Sequence, residues 1–203
     1  MIPSVSESQT FILQSILKLH CDGKFDADIT YGNGQFYKEI PAPLFCSDVS
    51  PQCEGVIPCD STKLPFKNDS VGSIVFDPPF LTYIRNDREH GSLMAKRFGG
   101  YWTYDELARH YQLTLIECNR VLRLKGKLIF KCQDIINNHR MYCTHANVIK
   151  WAELLGYQLA DMFILVAKNR MPIPQPKTNA ESVQRHARVF HSYFLVLEKN
   201  RQK

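Results

Sequence analysis

The first 77 residues contain four short strand-like runs, each closed by an acid or a turn: Asp26–Thr30, Pro43–Asp48, Val56–Asp60, and Val71–Phe76 with Asp77 behind it. Helical patterns alternate with such runs along the chain. Ser6-Glu7-Ser8-Gln9 reads as a capping box, and Ile12, Leu13, Ile16 and Leu17 follow as one apolar stripe. Thr103-Tyr104-Asp105-Glu106 is a second box, opening a helix with Tyr104, Leu107, Ala108, Tyr111, Leu115, Cys118 and Leu122 on one face. Lys125-Gly126 then turns into an apolar strand, Lys127–Cys132. Thr144 is expected to cap a third helix, with Val148, Ile149, Ala152 and Leu155 inward and Gly156 at its end. Runs at 158–167 and 190–198 have no helix between them and read as an antiparallel pair. This alternation predicts an α/β domain with a mainly parallel, seven-stranded sheet and a final antiparallel strand. The Thr30-to-Pro43 link is near the minimum for a parallel crossover. Its helix must be very short, or the N-terminal helix covers that face.

A chain of 203 residues, 44% hydrophobic and 22% charged, suits one globular domain spanning 1–203. No apolar run reaches the ~18 residues of a membrane span, and Met1-Ile2-Pro3-Ser4 has no export-signal character. The seven cysteines are odd in number and include no Cys-x-x-Cys pair, so reduced thiols in a cytoplasm are expected and nothing asks for a metal. The net charge of +5 is unevenly spread. Residues 1–80 hold five Lys/Arg against ten Asp/Glu, whereas 81–203 hold twenty against ten. A polyanionic partner for the second part is one reading, and solvated surface is the other.

Asp77-Pro78-Pro79-Phe80 directly follows a strand, where open α/β sheets bind ligands. Two prolines fix φ and remove two backbone donors, leaving rigid carbonyl acceptors beside a carboxylate and an aromatic face. That set suits an exocyclic amino group on a planar base. A simple proline stop is the alternative, but an acid or amide, two prolines and an aromatic arise together by chance in only about one per cent of chains this long.

This motif resembles the catalytic Asp/Asn/Ser-Pro-Pro-aromatic motif of the S-adenosylmethionine-dependent amino-methyltransferases of nucleic acid. Asp28-Ile29-Thr30-Tyr31-Gly32-Asn33-Gly34 resembles their cofactor loop, and Arg185–Phe194 is similar to the tail of small bacterial or phage-type DNA methylases. The resemblance implies a Rossmann-like class I methyltransferase using S-adenosyl-L-methionine, with Asp77, Pro78, Pro79 and Phe80 catalytic. It implies cofactor contacts from Asp28, Tyr31, Gly32 and Gly34, and from Gln9 and Thr10 at the N-terminal helix. Gly32 and Gly34 would allow close backbone approach, while Tyr37 leaves the dinucleotide fingerprint incomplete. Asp48 at a strand end suits two ribose hydroxyls, and Asp60 suits the adenine amino group; both could equally be turn formers. Asp in the first motif position leans towards adenine N6 over cytosine N4. Pro58-Cys59 could instead be a cytosine-C5 nucleophile, but the catalytic place after the fourth strand is already taken.

Two segments could grip nucleic acid. Residues 81–101 carry Arg85, Arg88, Lys96 and Arg97 among Tyr83, Phe98 and Tyr101, and residues 168–189 carry Lys168, Arg170, Lys177, Arg185 and Arg188 against Glu181 alone. Mobile solvated loops are the plainer reading. The length leaves no room for a separate target-recognition domain, so specificity is expected from these loops. DNA is favoured over RNA on the resemblance. The alternatives are an RNA base methyltransferase (adenine N6 or guanine N2) and a non-catalytic nucleic-acid-binding domain.

Overall fold

The computed structural model describes residues 1–80, 82, 100–101, 103–168 and 185–201. Its main sheet has eight strands in the order β1-β9-β10-β6-β5-β2-β3-β4. These are β1 (Val5–Ser6), β2 (Ala27–Asp28), β3 (Phe45–Asp48), β4 (Ile57–Pro58), β5 (Val71–Phe76), β6 (Leu122–Cys132), β9 (Tyr157–Val166) and β10 (His191–Lys199). β10 runs antiparallel to both β6 and β9, and the other pairings are parallel. The eighth strand corrects the expected seven. It is β1, which pairs with β9 through Val5↔Ile164 and Ser6↔Leu165.

Ser6 therefore lies in a strand, and the first helix, α1 (Gln9–His20), is capped two residues later than its capping-box pattern suggested. The Ser8 hydroxyl accepts from the Phe11 amide, while Ser6 Oγ accepts from the Ser8 amide. Ile12, Leu13, Ile16 and Leu17 pack with Ile40, Val75, Ile129, Phe163, Phe194 and Val196 on one side of the sheet. Each such burial contributes about 1.5–3 kcal/mol, which outweighs the marginal stability of a three-turn helix. The β2–β3 connection contains only a 3-10 turn, Gln35–Tyr37, so α1 covers that face.

The opposite face is covered by α2 (Tyr104–Val121) and α3 (Thr144–Leu154). Thr103 and Glu106 form both halves of the expected capping box at α2. Thr144 does not cap α3. It is the first helical residue and buried, and the capping position belongs to Cys143, without a side-chain bond. Between β6 and α3 lies a hairpin outside the main sheet, β7 (Ile135–Asn137) with β8 (Arg140–Tyr142). No helix among the described residues is long and apolar enough to cross a membrane.

Candidate active site

β2 and β5 are adjacent and parallel, so Asp28 and Asp77 emerge at the same edge of the sheet. One threonine joins them. The Asp28 Oδ1 accepts from the Thr30 amide at 2.8 Å and from its hydroxyl at 3.4 Å, and the same hydroxyl accepts from the Asp77 amide at 2.7 Å. The cofactor-loop residues and the Pro-Pro motif are thus held in one network.

Asp28 is 2% exposed. Its second oxygen accepts from the Tyr37 hydroxyl at 2.5 Å. Burial outweighs the bonds from Tyr37 and Thr30 and pushes its pKa up to about 7. The tyrosine that spoils a third glycine therefore covers the acid of the loop, and its ring stacks on Tyr31 at 5.3 Å.

Gly32 and Gly34 both have positive φ, at 56° and 72°. A Cβ on Gly34 would lie 2.9 Å from the Tyr31 hydroxyl. The Gly32 amide donates to Asp48 Oδ2 at 2.9 Å, and the Ser50 amide donates to Asp48 Oδ1 at 2.8 Å. Asp48, at the end of β3, thereby fastens the glycine loop. A cavity of about 290 Å³ opens beside that loop, lined by Tyr31, Gly34, Tyr37, Cys46, Cys53 and Val56 among others. Asp60 lies beyond β4, exposed, and accepts from the Thr62 amide and hydroxyl, both at 2.8 Å. This is a turn-forming arrangement. Burial raises its pKa, but the Thr62 bonds and the nearby His110 and Lys63 bring it below the usual value.

In the motif itself, Pro78 is buried, and the Pro79 carbonyl accepts from the Tyr111 hydroxyl at 3.2 Å. Phe80 is half-buried against the main core. The Asp77 side chain is 23% exposed and pairs with Lys131 Nζ at 3.2 Å. Burial raises its carboxyl pKa above the ordinary value, and the charge and hydrogen bond of Lys131 offset only part of that rise. Gln9 reaches the same lysine, its Oε1 accepting at 3.2 Å, which brings the start of α1 to the site. Thr10 sits beside it in the first turn, half-buried.

Lys131 and the Thr30 bridge were not anticipated. A lysine at the end of an apolar strand reads as solvent-facing, and only the burial of β6 on both faces reveals otherwise. Cys59, the alternative nucleophile, has a thiol that donates to the carbonyls of Asp60 and Lys63 and a pKa raised by burial, so it is held as a neutral thiol. Of the proposed nucleic-acid contacts, Lys168, Arg185 and Arg188 are exposed. Arg85, Arg88, Lys96, Arg97 and Arg170 lie outside the described residues.

No protein-family model matches this chain, and no curated protein sequence matches it. Solved structures do. A candidate DNA modification methylase from Thermus thermophilus, crystallised with S-adenosyl-L-methionine, is 17% identical over 71% of this chain and 54% of its own, with a TM-score of 0.46. The chain spans about half the length of that protein. A chain from the Haloferax volcanii complex of the Trm112 activator with a candidate methyltransferase is 16% identical, covering 97% of this chain and 91% of its own at a TM-score of 0.55. The Burkholderia thailandensis 1,6-didemethyltoxoflavin-N1-methyltransferase, bound to S-adenosylhomocysteine, is 13% identical, covering 97% and 80% at a TM-score of 0.55. The shared property is the fold: this chain has the Rossmann-like architecture of class I methyltransferases.

Proposed function

We propose that the protein transfers a methyl group from S-adenosyl-L-methionine to an exocyclic amino group of a base in DNA, with adenine N6 as the target. The supporting observation is the Asp28–Thr30–Asp77 network, which couples a glycine-turn loop to an acceptor-rich Pro-Pro motif at one sheet edge. The residues fit the cofactor. Gly32 and Gly34 suit its close approach and Asp48 its ribose diol, since each Asp48 oxygen keeps a lone pair after accepting one amide, while Asp28, covered by Tyr37, holds the loop in place.

When bound, the cofactor supplies a methyl already activated by a sulfonium, so the protein's work is positioning. The target base, flipped from its stack, lies against Phe80. Asp77 and the Pro78 carbonyl accept from its amino group and keep the nitrogen lone pair directed at the methyl. The nitrogen–carbon bond forms as the carbon–sulfur bond breaks, its electron pair returning to sulfur. The surplus proton leaves nitrogen through Asp77 to water. Lys168, Arg185 and Arg188, with the basic residues of 81–101, contact phosphates. The test is labelled methyl transfer to duplex DNA, single-stranded DNA and structured RNA, followed by identification of the modified nucleoside. N6-methyladenine in DNA supports the reading. Product confined to RNA, N4-methylcytosine alone, or no transfer overturns it.

A further inference from the structure

Ile129 and Lys131 alternate with Phe130 and Cys132 along β6, so they share the face turned to α1. Ile129 lies in the core there, and an aliphatic residue is the ordinary choice two positions on. Lys131 stands there instead, only 9% exposed. Its ammonium donates to Asp77 Oδ2 and Gln9 Oε1, both at 3.2 Å, and lies over the rings of Phe36 at 4.9 Å and Phe194 at 5.4 Å. A buried ammonium is costly unless paired and hydrogen-bonded. Asp77 and Gln9 are residues of the proposed site, whereas Phe36 and Phe194 belong to the apolar cluster under α1.

We infer that Lys131 is a positioning residue for Asp77: it neutralises and orients Oδ2, so that Oδ1 is left as an ionised acceptor for the substrate's amino group. This rests on the reading of Asp77 given above. Two anchors define the carboxylate's place, the Thr30 hydroxyl on the backbone amide and Lys131 on one oxygen. Among the described residues, Oδ1 accepts no hydrogen bond. Among the described residues, the other ionisable groups coupled to Asp77 are Asp28, across the Thr30 bridge, and the Tyr111 hydroxyl, held on the Pro79 carbonyl. Asp28 adds negative charge as it ionises and so opposes the ionisation of Asp77; Tyr111 supplies no cation. Lys131 is the group that favours the carboxylate against burial. A protonated Asp77 cannot accept through that oxygen, and methyl transfer fails as the pH falls through its pKa.

The experiment compares wild type with Lys131→Met, which keeps the apolar stem, Lys131→Gln, which keeps a donor without charge, and Lys131→Arg, which keeps the charge. The Asp77 carboxyl is titrated by carbon-13 NMR in cofactor-free protein, assigned against Asp77→Asn. Single-turnover transfer is followed against pH, and S-adenosylhomocysteine affinity by calorimetry. In Lys131→Met and Lys131→Gln, the carboxyl midpoint and the acid limb of the rate profile should both rise by about 1–3 pH units, as expected for losing an adjacent opposite charge. Lys131→Arg should keep both near wild type. An unmoved midpoint, with the rate lowered equally at every pH, makes Lys131 a packing residue and overturns the inference. If Lys131→Met does not fold, Lys131→Gln gives the same comparison. Absence of transfer in the wild type would sink the functional reading instead, and the carboxyl titration would still report on Lys131.

Discussion

Replacing Asp28 with asparagine should stabilise the protein at alkaline pH and weaken its cofactor site. The Asp28 carboxyl titrates at about 7 in the fold against an ordinary 3.8, chiefly because burial penalises its charge. A rise of about three pH units corresponds to ~4 kcal/mol. The sign follows from proton binding. Between those two values the folded chain holds a proton that the unfolded chain has lost, so wild-type stability falls as pH rises through the window. The amide of the Asp28→Asn variant does not titrate, and its side-chain oxygen can still accept from the Thr30 amide or the Tyr37 hydroxyl. Urea unfolding at pH 4.5 and pH 8 should therefore show the variant gaining about 3 kcal/mol on the wild type between the two conditions. Other titrating groups cancel in that comparison. A stability difference constant to within ~1 kcal/mol across the window would show that Asp28 is already ionised in the fold, and the reasoning from its burial would fail.

Asp77→Ala should abolish methyl transfer while calorimetry still detects cofactor binding; equal loss of both would remove Asp77 from the catalytic role. Neutralising Arg185 and Arg188 together should weaken DNA binding and lower its salt slope by about two, with cofactor affinity unchanged in calorimetry. Gly34→Ala sets a Cβ against the Tyr31 ring at φ 72°, so it should cost about 1 kcal/mol or more in thermal unfolding and lower cofactor affinity.

Local signals account for what was legible in the sequence. The strand Val71–Phe76 lies where its apolar run placed it, and the Thr103–Glu106 box caps α2, because both depend on neighbouring residues alone. The Pro-Pro motif and the glycine turn were visible for the same reason. What escaped depends on distant partners. β1 is two residues long and has no period to read; it exists through pairing with β9. The β7–β8 hairpin turns through Asn138 and His139 at positive φ of 48° and 58°, without the glycine that marks such turns. Thr30 and Lys131 became site residues only when β2, β5 and β6 lay side by side.

The position of β10 has a consequence for how the molecule is made. The strand built last along the described chain lies inside the sheet, hydrogen-bonded to β6 on one side and β9 on the other. Until residues 191–199 are available, β9 with β1 has no sheet partner linking it to β6, and two facing strand edges stand open. The ribosome therefore delivers the keystone after the arch. Residues 1–166 emerge first with those two edges unpaired and prone to pair with other chains, and closure awaits a segment distant in sequence from one of its two partners.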